Sequence, residues 1–178
     1  FPMQSGSDRI LKLMRRPYKN EKFVEICEKM KAARPGLAIT TDIIVGFPGE
    51  TEEDFQATVD TVERLQFDNA FVFRYSRRRN TPAAEMDGQL TEEEKGDRNK
   101  RLLAVVDRIA IEKHAVLVGT TQQILCEGPS KNNADKLSGR TPHNKIVIFE
   151  GNADRFTGQM LDMKIEQSTG FTLYGSVI

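Results

Sequence analysis

The sequence is poor in the residues that build redox and metal sites. Its 178 residues include only two cysteines, Cys27 and Cys126. Each sits inside an apolar-periodic segment, the usual setting of a buried reduced thiol. No Cys-x-x-Cys and no Cys/His cluster occurs, so the chain by itself offers no ligand set for zinc or an iron–sulfur cluster. Net charge is missing too, with 26 basic side chains against 26 acidic ones. That removes the bulk-charge argument for a nucleic-acid or membrane partner, though a local basic face remains possible. No apolar run approaches the length of a membrane span and no signal peptide is visible. No membrane partner is therefore expected, and the cytoplasm is the expected compartment. The chain opens at Phe1-Pro2-Met3-Gln4 without an initiator methionine, so it is expected to be the C-terminal part of something longer. A hydrolase or aldolase reading is weak, because no His/Asp/Ser or Schiff-base lysine constellation stands out.

What is present is a core, at 38% apolar residues, and an order of elements. Thr41 to Thr51 reads as a strand, a glycine-bearing turn and a helix start. Ile43, Ile44 and Val45 form a β-branched run of the kind covered on both faces. Gly46, Pro48 and Gly49 stop it, and Thr51 with Asp54 resembles a capping box. Such turns at strand ends either hold ligands, with glycine letting the backbone come close, or are plain βα connections. Upstream, Gln4 to Asp8 is a polar turn in which Ser7 caps a short helix carrying Ile10, Leu11 and Met14 on one face. Asn20 is expected to cap a helix to about Ala33, with Phe23, Ile26, Cys27 and Met30 as its stripe. Leu37 to Val45 is the expected strand. A helix from Thr51 carries Phe55, Val59, Val62 and Leu65. Ala70 to Tyr75 alternates, with Phe71, Phe73 and Tyr75 on one side, suited to core packing or to stacking on a flat ligand. The βα repetition predicts parallel strands with helical crossovers.

Arg74, Arg77, Arg78 and Arg79 make a local positive cluster after that strand. It is either a solvated loop or an anion site using the guanidinium fork. Thr91 to Glu94 is a second capping box, opening a helix to about Val116. After Gly119 the periodicity becomes two: Thr121 to Cys126, Lys145 to Phe149, the alternation around Met163, and Phe171 to Val177 read as strands of a small barrel or sandwich. Lys131, Lys136, Arg140, His143, Asn144 and Lys145 gather in and around one long loop, suited to RNA backbone contacts. The expected division is 1–118 and 119–178.

Three motifs, taken in order, resemble one family. They are Gln4-Ser5-Gly6-Ser7-Asp8, Thr41 through Thr51, and Tyr75-Ser76-x-Arg78-x-x-Thr81-Pro82-Ala83. They stand as in the radical S-adenosylmethionine methylthiotransferases. Glu127 to Lys131, Leu137 to Thr141 and Asn144 are similar to the TRAM domain of the tRNA branch, the MiaB type. The resemblance implies an α/β fold: the C-terminal half of a partial (β/α) barrel, then a small OB-like TRAM barrel. It implies S-adenosylmethionine beside Gln4, Ser5 and Ser7 on the fourth strand, Thr41, Asp42, Ile44 and Gly46 on the fifth, and Phe73 and Tyr75 on the sixth. It implies tRNA contacts at Arg78, Lys131, Arg140, Asn144 and Lys145. The intact enzyme would place a methylthio group on dimethylallyladenosine beside the anticodon, act as a monomer, and carry two [4Fe-4S] clusters. Their cysteine ligands lie outside this chain, so no metal ligand or catalytic residue is assigned within it and the piece alone is expected to be inactive. Departures from the family are Asn80 where glycine is common, tolerable because asparagine enters the left-handed region, and Arg77 and Arg79 where proline is common. The competing reading is a stand-alone RNA-binding protein with a non-catalytic α/β scaffold.

Overall fold

The computed structural model describes residues 1–178, which fall into two compact units, Phe1–Ile109 and Ala110–Ile178. In the first unit the order is α1 (Asp8–Leu13), α2 (Asn20–Ala33), β1 (Thr40–Val45), α3 (Glu52–Leu65), β2 (Asn69–Arg74), a 3-10 turn (Pro82–Ala84) and α4 (Glu92–Ala115), whose residues from Ala110 on belong to the second unit. β1 and β2 pair in parallel with Ile43 opposite Val72, and Gln4 adds a parallel bridge to Ile43. Three successive chain segments thus lie side by side with helical connections, as the βα order requires.

The helices cover one face of this sheet. Thr41, Ile43 and Val45 are buried there, in a core shared with Phe23, Cys27, Phe55, Val62, Leu102 and Ile109. The other face is not covered. Asp42 and Ile44 are half-exposed, and Phe71 and Phe73 are 56% and 52% exposed with their rings stacked at 6.5 Å. This corrects two expectations. The Ile-Ile-Val run is not sealed on both sides, and the aromatic alternation of β2 is not core packing. A β-branched run signals only that a strand is wanted; which face is covered depends on where the helices land.

Local signals mostly act as read. The Ser7 hydroxyl accepts from the Ile10 amide. Thr51 and Asp54 form a full capping box, and Thr91 with Glu94 repeats it. Asn20 is different: it is the first helical residue, and Lys19 stands at the cap position without a side-chain bond. The Asn20 amide instead donates to Asp8 Oδ1 at 2.7 Å. The strand begins at Thr40 rather than Leu37, because Ile39 is tied to Asp68 in both directions by hydrogen bonds of 2.8 and 2.9 Å.

The second unit is a closed barrel of β3 (Thr121–Pro129), β4 (Leu137–Arg140), β5 (Ile146–Phe149), β7 (Thr172–Val177) and β6 (Met160–Thr169), in that spatial order, with a short α5 (Ala153–Phe156). Ile124, Cys126, Leu137, Val147, Phe149, Met163, Ile165 and Leu173 fill it. The single long loop expected from 131 to 145 is divided by β4, whose Leu-Ser-Gly-Arg is too short and polar to show a period. Gly139 makes that strand possible: a Cβ there would stand 2.5 Å from Ile124 Cδ1 and 2.8 Å from the Leu125 carbonyl.

Candidate cofactor site

A cavity of about 610 Å³ opens at the strand ends of the first unit. This lies within the range of small-molecule sites. Its lining comes from Gln4, from Ile44 and Phe47 at the end of β1, from Phe73 to Ser76 at the end of β2, from Arg78 and Thr81 to Ala83, and from Leu13 to Arg16. Of the expected cofactor residues, Gln4, Ile44, Phe73 and Tyr75 are brought together here, and Arg78 joins them.

The others lie elsewhere and hold the frame. Ser5 is buried beside Thr58, with the hydroxyls 3.4 Å apart, and the Gly6 amide donates to the same threonine at 2.9 Å. Ser7 donates to Asp54 Oδ1 at 2.6 Å. Thr41 accepts from the Met3 amide and donates to the Phe1 carbonyl, both at 2.9 Å. Asp42 is half-exposed on the open sheet face, opposite Phe71. Gly46 has φ +72, and a Cβ would meet Lys95 Cγ at 2.5 Å, so only glycine fits the turn.

Two carboxylates brace this frame. Asp54 takes hydrogen bonds from Ser7, Arg9 and Thr51. Burial works to raise its pKa, but those donors outweigh it and hold the carboxyl below the ordinary range. Glu50 is fully buried and accepts from the Gly46 amide at 2.7 Å and from Arg98 Nη1 at 2.6 Å. Burial pushes its pKa up, with those two donors pulling against it. Arg98 also donates to the Glu50 carbonyl at 3.0 Å. The turn after β1 is thereby pinned to α4. Lys95 and Arg98 were not singled out as site residues, since on a helical face two basic residues three apart look like solvent-facing charge. Both are buried, at 5% and 8% exposure.

The cavity wall suits a flat, part-apolar ligand. Phe47 packs edge-on against Tyr75 at 5.2 Å, and Lys95 Nζ lies 5.6 Å from the centre of the Tyr75 ring. Gln4 holds φ +66 while its amide and carbonyl bond Asp42 and Ile44. A non-glycine residue held in that region costs roughly 1–2 kcal/mol and recurs at ligand sites. Arg15, also on the lining, has φ +56, and Asn80 has φ +61 where glycine would be the easy choice. These residues fit an adenosyl group: aromatic and aliphatic surface for the base, with Gln4 as a polar residue on the lining. They do not fit an iron–sulfur cluster. No group of three or more His, Cys, Asp or Glu converges, and Cys27 and Cys126 are buried in separate units.

On the barrel, Lys131 is exposed in the turn between β3 and β4. Arg140 is half-buried, bonding Glu127 from Nε at 3.1 Å and Asn144 Oδ1 from Nη1 at 2.9 Å. Asn144 has φ +60. Lys145 is 8% exposed, and its backbone closes a tight turn on Thr141. Arg140 and Asn144 are thus joined at the β4–β5 turn, Lys131 stands in the β3–β4 turn at the other end of β4, and Lys145 is largely withdrawn from solvent.

Comparison with known proteins places both units. Residues 1–62 match the radical SAM superfamily and residues 115–178 match the TRAM domain. The chain is therefore a radical SAM segment followed by a TRAM barrel. In this pairing of domains it is similar to the radical SAM methylthiotransferases. It is 63% identical over 175 residues to the tRNA-2-methylthio-N(6)-dimethylallyladenosine synthase of Akkermansia muciniphila, covering 98% of this chain and 38% of the relative. The synthase of the same name from Methylacidiphilum infernorum is 51% identical over 176 residues, covering 99% and 38%. That of Fusobacterium nucleatum is 48% identical over 178 residues, covering 100% and 41%. The chain spans about two fifths of the length of these curated relatives.

Proposed function

We propose that this chain is the C-terminal part of a tRNA methylthiotransferase that modifies dimethylallyladenosine beside the anticodon. The observation that carries the reading is the strand-end cavity, whose Gln4, Ile44 and Phe47 lie in the segment matching the radical SAM superfamily and whose remaining aromatics, Phe73 and Tyr75, follow at the end of β2. Ile44, Phe73 and Tyr75, with Gln4 beside them, would hold the adenosyl part of S-adenosylmethionine. Ser5, Ser7, Thr41, Asp42 and Gly46 belong to the frame around it. When bound, S-adenosylmethionine supplies radical chemistry once an iron–sulfur cluster cleaves it. The ligands of two [4Fe-4S] clusters lie outside this chain, so the chain alone has no methylthiolating activity. The barrel, from about Gly119 onward, grips tRNA through Lys131, Arg140 and Asn144, with Lys145 close by and Arg78 on the cavity side. The enzyme works in the cytoplasm as a monomer.

The test is to compare the whole gene product with this chain, each with S-adenosylmethionine and reductant, on an anticodon stem-loop carrying dimethylallyladenosine. The product is read by nucleoside mass spectrometry. Methylthiolation by the whole product, lost in Phe73→Ala and absent from this chain alone, is expected. Tight RNA binding with no modification by the whole product would instead favour a non-catalytic RNA-binding protein.

A further inference from the structure

The cavity mouth carries four arginines, Arg15, Arg16, Arg74 and Arg78, and no carboxylate lines it. All four are exposed. Arg74 has one distant acidic neighbour, Glu92 at 3.9 Å, while Arg15, Arg16 and Arg78 form no ion pair. In a chain of zero net charge, the arginines of this unit's helices are matched, while Arg34, Arg77 and Arg79, outside them, are not. Arg9 pairs with Asp54, Arg64 with Glu28, Arg98 with Glu50 and Arg101 with Glu52. Unmatched guanidinium groups gathered round one opening are a positive collar over an aromatic floor.

The backbone at Arg15 is the second observation. α1 ends in a Schellman turn: the Arg15 amide donates to the Lys12 carbonyl at 3.0 Å and the Arg16 amide to the Leu11 carbonyl at 2.9 Å. The left-handed position of that motif is normally glycine. Here it is an arginine with φ +56, and the turn puts both residues on the cavity lining, Arg16 also bordering Arg9, Lys12 and Tyr18 on its other side. The dipole of a six-residue helix explains a cation near its end. It does not explain why one occupies the strained position.

We propose that the Met14–Arg16 turn is an RNA-phosphate clamp at the cavity mouth. In it Arg15 and Arg16 join Arg78 in holding the backbone on either side of a base that enters the cavity, separately from any grip by the barrel. Guanidinium forks bind phosphate bidentately and fix register without reading sequence. The inference rests on the tRNA reading above. The test measures binding of the dimethylallylated anticodon stem-loop to the 178-residue chain across a salt series. The Arg15→Asn/Arg16→Gln variant is chosen because asparagine accepts the left-handed turn. The charge-matched control is Lys22→Gln/Lys29→Gln on α2, and thermal unfolding verifies the fold of each.

Loss of two phosphate contacts should make the log–log salt slope shallower by about 1.5 and weaken binding roughly tenfold near 0.1 M salt, with the control unchanged. An unchanged slope in the arginine variant overturns the clamp and leaves those side chains to solvent or to the cofactor's carboxylate. An equal loss in the control also overturns it, as mere bulk charge. A wild-type chain with no salt-dependent RNA binding refutes the tRNA reading itself, and the clamp with it.

Discussion

Removing Arg98 should expose how the turn beside the cavity is held. Glu50 has 0% side-chain exposure and Arg98 10%. The carboxylate has two donors, the Gly46 amide and Arg98, while Oε1 has no partner at all. In Arg98→Met the methionine keeps most of the packing over Phe55, but Glu50 is left buried with one backbone donor. Breaking a buried pair from one side costs about 3–5 kcal/mol. The carboxyl can relieve part of this by taking up a proton, which fixes the sign of the pH dependence. Burial already raises its folded pKa, and losing Arg98 raises it further. A carboxyl whose folded pKa exceeds its unfolded value, about 4.3, favours the native state most below the unfolded pKa. That contribution is lost as pH rises toward the folded pKa.

The variant should therefore be less damaged at pH 5.5 than at pH 8. The Glu50→Gln/Arg98→Met double variant keeps an acceptor for the Gly46 amide and carries no buried charge. It should recover to within about 1.5 kcal/mol of wild type and lose the extra pH dependence. Because the chain has two compact units, the measurement is urea-dependent exchange of the Ile43 and Val45 amides, which report the first unit alone. A loss under about 1 kcal/mol, an equal loss at both pH values, or a double variant worse than the single one would refute the reasoning.

Three more outcomes follow from the same contacts. Asp54→Asn weakens the knot of Ser7, Arg9 and Thr51 and should lose about 2–3 kcal/mol at pH 7. Since the folded Asp54 pKa is depressed, that advantage of wild type should shrink as pH falls below about 4 in acid unfolding. Tyr75→Phe removes a hydroxyl that is sealed from solvent with no partner. It should leave stability unchanged or raise it by about 1 kcal/mol, and a clear drop in urea midpoint would show that the hydroxyl has a partner. Gly139→Ala drives a Cβ to 2.5 Å from Ile124 Cδ1. It should destabilise the barrel by about 1–3 kcal/mol, read from exchange of the Ile124 and Val147 amides.

The strand-end turn at Gly46 was readable because glycine, proline and a capping threonine punctuate it locally, and the capping boxes at Thr51 and Thr91 were readable for the same reason. The barrel was readable from period two at Met163 and Ile165, but β4 was not, since four residues containing Ser and Gly show no period. Gln4, Ile44, Phe73 and Tyr75 reached the site through motif order. Arg15 and Arg16 could not, because nothing in a Met-Arg-Arg-Pro string says that a left-handed turn carries them to the lining of a cavity.

By itself the sequence determined the βα order, the later change to strand periodicity, the absence of cluster cysteines and the family resemblance. These rest on residue types acting on their own neighbours. Only the tertiary structure decided which sheet face stays open, which serines and threonines brace the frame instead of lining the cavity, and that Lys95 and Arg98 are buried. Burial and ion pairing are set by partners as distant along the chain as Glu50 is from Arg98, and no local pattern encodes that distance.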